Sequence, residues 1–127
     1  MPPVMPKTVL VVEDQEDLRR ILLLALKSAG FRVVEAANGA DGVAKALSES
    51  PDLILMDIQL PVLDGYEAIR QIRAGEGMAS VPIIAVSSFA MKGDEEKARA
   101  AGCDAYVTKP YSPMQLLGRV RQILEKS

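Results

Sequence analysis

Leu53-Ile54-Leu55-Met56-Asp57 sets four apolar residues in a row ahead of a carboxylate. A strand that is apolar at every position, rather than at alternate ones, has to be covered on both faces, which is the condition of a parallel sheet between two layers of helices. Short runs of related character recur at Thr8–Val12, Arg32–Ala36, Ile83–Val86 and Ala105–Thr108. Between them the apolar residues change to helical spacing, as in Leu18, Ile21, Leu22, Ala25 and Leu26, in Val43, Ala46 and Leu47, and in Leu116, Val120, Ile123 and Leu124. Five β-α units follow from this alternation. They predict an α/β fold, a doubly wound five-stranded parallel sheet with five helices and the short strand order 2-1-3-4-5.

The punctuation fits this parse. Gly30 follows the first helical stretch, Asn38-Gly39 precedes the second, Pro61 and Asp64-Gly65 precede the third, and Gly102 closes the fourth. Asp94 is the expected cap of that fourth helix, in which Glu95, Glu96, Lys97 and Arg99 leave Ala98, Ala100 and Ala101 to face inward. So small an apolar face predicts the least firmly anchored helix. The 127 residues and their 49% apolar content suit one domain, expected over 7–127, behind a loose leader at 1–6 whose prolines oppose regular structure.

A formal net charge of −2 offers no bulk attraction to nucleic acid or to an anionic membrane surface. No apolar run reaches the roughly 18 residues that a bilayer span needs. The opening residues lack the pattern of a secretion signal, and the one cysteine, Cys103, cannot pair internally, so the expected setting is the cytoplasm. Histidine is absent altogether, which removes a Ser-His-Asp triad, a histidine base and the common His-containing zinc sites from this chain. Chemistry is left to carboxylates, hydroxyls and lysines.

In an open parallel sheet, ligands bind beyond the carboxyl ends of the strands at the switch point. The first strand runs into Glu13-Asp14, the third into Asp57, the fourth into Ser87-Ser88 and the fifth into Lys109-Pro110, and in the predicted order these four strands are adjacent. Three carboxylates in one crevice repel, by about 4 kcal/mol per pair at ~4 Å and an effective dielectric near 20. A cation resolves this: Glu13, Asp14 and Asp57 sum to −3, which Mg²⁺ and the Lys109 ammonium balance. Mg²⁺ takes oxygen ligands and commonly joins one or two carboxylates to a phosphate. Asp57 is then the candidate nucleophile, because carboxylates form acyl phosphates and a metal with a lysine stabilises the transferring group. Glu13 and Asp14 are candidate metal ligands, while Ser87 and Lys109 are candidate contacts to phosphoryl oxygens.

Taken singly, each residue has an ordinary reading. Asp14 alone would cap the first helix, Lys109 would be a solvated lysine and Ser87 would satisfy backbone groups at a strand end. Their joint position at adjacent strand ends favours chemistry instead. Cys103, a small apolar residue after Gly102, is assigned none.

The segments Val11-Val12-Glu13-Asp14, Leu55-Met56-Asp57-Ile58-Gln59-Leu60-Pro61 and Thr108-Lys109-Pro110, with Ser87 between the last two, resemble in order and spacing those of the bacterial response-regulator receiver family. The resemblance runs from Thr8 to Glu125. It implies a flavodoxin-like, CheY-like fold, Mg²⁺ held by Glu13, Asp14, Asp57 and the backbone carbonyl of Gln59, and a cis Lys109-Pro110 bond. It also implies a switch in which Ser87 and Lys109 bind the phosphoryl group on Asp57 and Tyr106 turns inward. Such a protein is not an enzyme acting on outside substrates; it catalyses its own phosphorylation and dephosphorylation. The stretch Phe89-Ala90-Met91-Lys92-Gly93-Asp94-Glu95-Glu96 is further similar to single-domain cell-cycle receivers of the DivK type. The implied partners are a histidine kinase or histidine phosphotransfer protein, which brings the phosphohistidine that this chain cannot form, and a downstream protein target. With no output domain expected, the target would be engaged through the fourth helix, fifth strand and fifth helix.

Two other functions could occupy such a sheet. Phosphohydrolases of the haloacid-dehalogenase type carry a second Asp two residues after the nucleophile, where this chain has Gln59. A flavodoxin-like cofactor binder needs hydroxyls and backbone donors for phosphate after the first strand, where Glu13-Asp14 would repel it.

Overall fold

The computed structural model describes residues 6–60, 62–88 and 93–125. Over them the chain alternates strictly: β1 (Thr8–Val12), α1 (Glu16–Ser28), β2 (Arg32–Ala36), α2 (Gly39–Glu49), β3 (Leu53–Asp57), α3 (Gly65–Ala74), β4 (Ile83–Ser87), α4 (Asp94–Ala101), β5 (Ala105–Thr108) and α5 (Pro113–Glu125). All strand pairs are parallel, in the order β2-β1-β3-β4-β5. Pleating sends successive side chains to opposite faces, and each face has its own core. Val9, Val11, Leu53, Leu55, Ile84 and Val86 pack with Leu22 and Leu26 of α1 and Leu116 and Val120 of α5. Leu10, Val12, Ile54, Met56, Ile83 and Ala85 pack under α2, α3 and α4. β2, on the sheet edge, departs from two-sided burial: Arg32 is exposed and only Ala36 is fully buried.

β3 and β4 each run one residue beyond their apolar stretches and take in Asp57 and Ser87. The ladder carries them, because Asp57 stands in register with Val86 and Ser87 with Thr108. α3 is seated directly on the end of β3. Asp64 caps it by accepting the Glu67 N–H at 3.0 Å, and Gly65 N–H reaches the Ile58 carbonyl at 2.9 Å. Only glycine permits that approach, since a Cβ at Gly65 would lie 2.5 Å from the Asp57 carbonyl oxygen.

α4 departs from the sequence expectation in two ways. Its cap is Gly93, at φ +98°, and Asp94 is the first helical residue. The chain enters the helix through the left-handed region that glycine adopts at no steric cost. Ala98 and Ala101 are buried but Ala100 is exposed; a two-residue step turns a helix by ~200°, onto the opposite side from Ala98. Ile21 and Leu47 also lie at the margins of their helical faces, 48% and 46% exposed. No helix among the described residues is long and apolar enough to cross a membrane. The expected leader up to Met5, the turn residue Pro61, and Phe89 to Lys92 of the DivK-like stretch lie outside the described residues.

Candidate phosphoacceptor and metal site

The strand registers bring the predicted residues to one rim. Val12 pairs with Met56, so Glu13 and Asp57 emerge side by side, and the pairing of Ser87 with Thr108 sets Lys109 next to the β4 end. Lys109 N–H donates to the Ser87 carbonyl at 2.8 Å, and the Lys109-Pro110 bond is cis, as expected. The Lys109 ammonium then lies 3.0 Å from Glu13 Oε1 and 3.1 Å from Asp57 Oδ2. The second oxygen of each carboxylate is held by backbone: Gln15 N–H donates to Glu13 Oε2 at 3.1 Å, and Gln59 N–H to Asp57 Oδ1 at 2.9 Å.

Glu13 and Asp57 are each 2% exposed and Ser87 is fully buried, whereas Asp14 is open to solvent. One carboxylate oxygen from each of Glu13, Asp14 and Asp57 lies within 4.8 Å of the others. At that separation each like-charged pair costs roughly 3–4 kcal/mol at an effective dielectric near 20. Burial raises the Glu13 carboxyl above its ordinary value and the neighbouring Asp57 adds to this, against the Gln15 N–H and Lys109. Burial works the other way on the Lys109 ammonium, but the two carboxylates it touches outweigh it and hold the lysine above its usual range.

Lys109 cancels one of the three negative charges and leaves a converging, all-oxygen set of charge −2 with one solvent-facing member. Those are the requirements of a hard divalent cation that keeps part of its water shell, so the residues fit Mg²⁺. Gln59 spans the mouth of the site, its side-chain oxygen accepting the Ser88 N–H at 2.9 Å. Tyr106 is half-buried against the core that Ala85 and Ala98 share under α4.

Two residues of the site were missed by sequence reasoning. Arg19 of α1 donates to the Glu13 carbonyl at 2.8 Å and to the Glu35 carboxylate at 3.2 Å, fixing the backbone from which Glu13 projects. Tyr111 places its hydroxyl in the interior beside Glu13 and Asp57. The available signal was its position directly after Lys109-Pro110; Arg19 gave none beyond a place early in a helix.

The family model for the response regulator receiver domain matches residues 9–121. The polar-differentiation response regulator DivK of Brucella anthropi is 38% identical over 120 residues, which covers 94% of this chain and 98% of that protein. Among solved structures, a CheY-like response regulator receiver domain protein from Methanospirillum hungatei superposes with a TM-score of 0.89 at 29% identity, covering 96% of both chains. The receiver domain of a Pseudomonas aeruginosa sensor histidine kinase gives a TM-score of 0.83 at 39% identity and covers 96% of this chain and 97% of its own. That structure has a magnesium ion coordinated in its active site cleft.

Proposed function

The chain belongs to the response regulator receiver domain family of two-component systems, and from that premise we propose that Asp57 takes a phosphoryl group from a phosphohistidine of a partner protein. The observation that carries this is Asp57 itself: a carboxylate 2% exposed at a strand end, joined to Lys109 at 3.1 Å and flanked by two further acids. A buried carboxylate so supplied with positive charge is a nucleophile poised for phosphorus.

Asp57 attacks the phosphorus in line. The new O–P bond forms as the N–P bond breaks, and the electron pair of that bond leaves with the partner's imidazole. Lys109 holds its ammonium against the oxygens where charge collects, and the Ser87 hydroxyl donates to another phosphoryl oxygen. The Glu13, Asp14 and Asp57 carboxylates with the Gln59 backbone carbonyl would hold Mg²⁺, which supplies charge neutralisation to the transferring group. Because Ser87 and Lys109 end neighbouring strands, drawing both toward a phosphoryl group pulls on the β4-α4 connection, and Tyr106 moves into the space released. The signal is read on the face of α4, β5 and α5 by a downstream protein. The chain thus catalyses changes in its own phosphorylation state instead of turning over outside substrates. The reading puts it in the cytoplasm beside a histidine kinase or phosphotransfer protein.

Incubation with acetyl phosphate and Mg²⁺ should add one phosphoryl mass to the wild type and none to Asp57→Asn, as read by intact mass spectrometry. A wild type that stays unmodified under those conditions overturns the assignment.

A further inference from the structure

The Tyr111 hydroxyl is the one buried side-chain oxygen among the described residues that no protein group satisfies. The ring stands at the edge of a cavity of about 10 Å³ that it shares with Glu13, Asp57, Leu22, Leu55 and Val86. Glu13 and Asp57 fall in step with Val11 and Leu55, on the α1 and α5 side of the sheet, and Tyr111 leads into α5 on that side. The hydroxyl is therefore enclosed with two carboxylates and otherwise aliphatic walls. Burial raises its pKa, and Glu13 and Asp57 raise it further, so it stays a proton donor across the physiological range.

A buried hydroxyl that donates to nothing is strongly disfavoured. The cavity is of the order that admits one water and is far too small for a phosphoryl group or a hydrated cation. Glu13 and Asp57 each already give one oxygen to Lys109 and the other to a backbone N–H. A carboxylate oxygen has two lone pairs, so each still accepts another bond.

We propose that Tyr111 is a positioning residue of the acidic site, its hydroxyl donating to a single buried water that donates in turn to Glu13 and to Asp57. Such a water makes three bonds, the usual number for a buried one. It fixes the two carboxylates from the α1 and α5 side of the sheet, as outer partners of metal ligands do. The readout rests on the proposed Mg²⁺ site, although the hydrogen bonds themselves do not.

Mg²⁺ affinity is measured by calorimetry on the full chain for wild type and Tyr111→Phe, with circular dichroism to establish that the variant folds. The hydroxyl proton of Tyr111 is followed by NMR in the metal-free wild type. The expected results are about tenfold weaker Mg²⁺ binding in the variant and a wild-type hydroxyl proton in slow exchange with a cross-peak to bound water. Equal affinity in a folded variant, or a hydroxyl proton exchanging freely with solvent, overturns the proposal. The NMR result decides the matter if the variant does not fold. A wild type that fails to bind Mg²⁺ counts against the metal site and leaves the hydroxyl-proton measurement to judge Tyr111.

Discussion

Glu13 concentrates the conflict of the site in one side chain. Its folded pKa lies above the ordinary 4.5, chiefly through burial. For an acid so shifted the folded state binds the proton more tightly, so this contribution to stability is present below the ordinary value and is lost as pH rises through the folded one. As pH rises through that folded value, the metal-free protein takes on the cost of ionising Glu13 in a buried site. Glu13→Gln removes that charge and keeps one acceptor oxygen, which serves Lys109 or the Gln15 N–H but not both. The metal-free variant should melt a few degrees higher than wild type at pH 7, about 3–5 °C per kcal/mol for a chain of this size, and bind Mg²⁺ far more weakly. Calorimetric melts in EDTA check the first part; a lower midpoint would mean that the pair with Lys109 outweighs the burial of Glu13. That Glu13, Asp14, Asp57, Ser87 and Lys109 meet at one rim was legible in the sequence because they stand at or within two residues of the ends of apolar strands, and parallel pairing fixes where such residues go. Tyr111 and Arg19 were not, because their roles depend on what a loop and a helix meet across the fold.

Among the elements, α4 is held unevenly. At its start stands Gly93 with no side-chain cap, and along its length only Ala98 and Ala101 are buried. Its far end is secured by Arg73 of α3. That guanidinium bonds the Gly102 carbonyl at 2.7 and 3.0 Å, the Met78 carbonyl at 3.1 Å, the Val81 carbonyl and the Asp104 carboxylate at 2.8 Å. Asp104 in turn accepts the Ile83 N–H at 2.9 Å, so one side chain ties α3, the connection before β4, and the α4-β5 turn. A lysine has the charge but not the planar fork. Arg73→Lys should cost about 2–3 kcal/mol by leaving carbonyls without donors, seen as a lower urea midpoint at unchanged slope. A loss under about 0.5 kcal/mol would show that water replaces the guanidinium at little cost. In the wild type, amides of α4 should exchange roughly tenfold faster than those of α3, whose Tyr66, Ala68, Ile69 and Ile72 are all buried; equal protection would contradict the weak anchoring. The sequence showed that α4 offers only alanines to the core but misplaced its cap, since capping preference favours Asp94 whereas the positive φ before the helix suits glycine at the preceding position.

At the scale of the molecule, a sheet whose three central strands are buried on both faces ends in a rim holding three acids against one lysine. Hydrophobic cohesion on either side outweighs the repulsion, and the fold is held with its carboxylates closer together than they would lie in water. The residual charge of −2 is the property by which Mg²⁺, held as proposed, would stabilise the whole domain, because an ion that binds only the folded state adds RT ln(1 + [L]/Kd) to stability. At a hundred times Kd this is about 2.7 kcal/mol, or roughly 8–13 °C in melting midpoint for a chain of this length. Simple screening would act differently. Glu13 and Asp57 are too buried for mobile salt to shield them well. Raising NaCl to match the ionic strength should therefore move the midpoint by no more than a degree or two, and the Mg²⁺ gain should persist in about 0.15 M NaCl. Melts with MgCl₂ and with NaCl at equal ionic strength, on wild type and Asp57→Asn, decide the point. The wild type should show the full Mg²⁺ gain and the variant a small fraction of it. If NaCl stabilises as much as MgCl₂, the three carboxylates form a diffuse acidic patch and not a metal site.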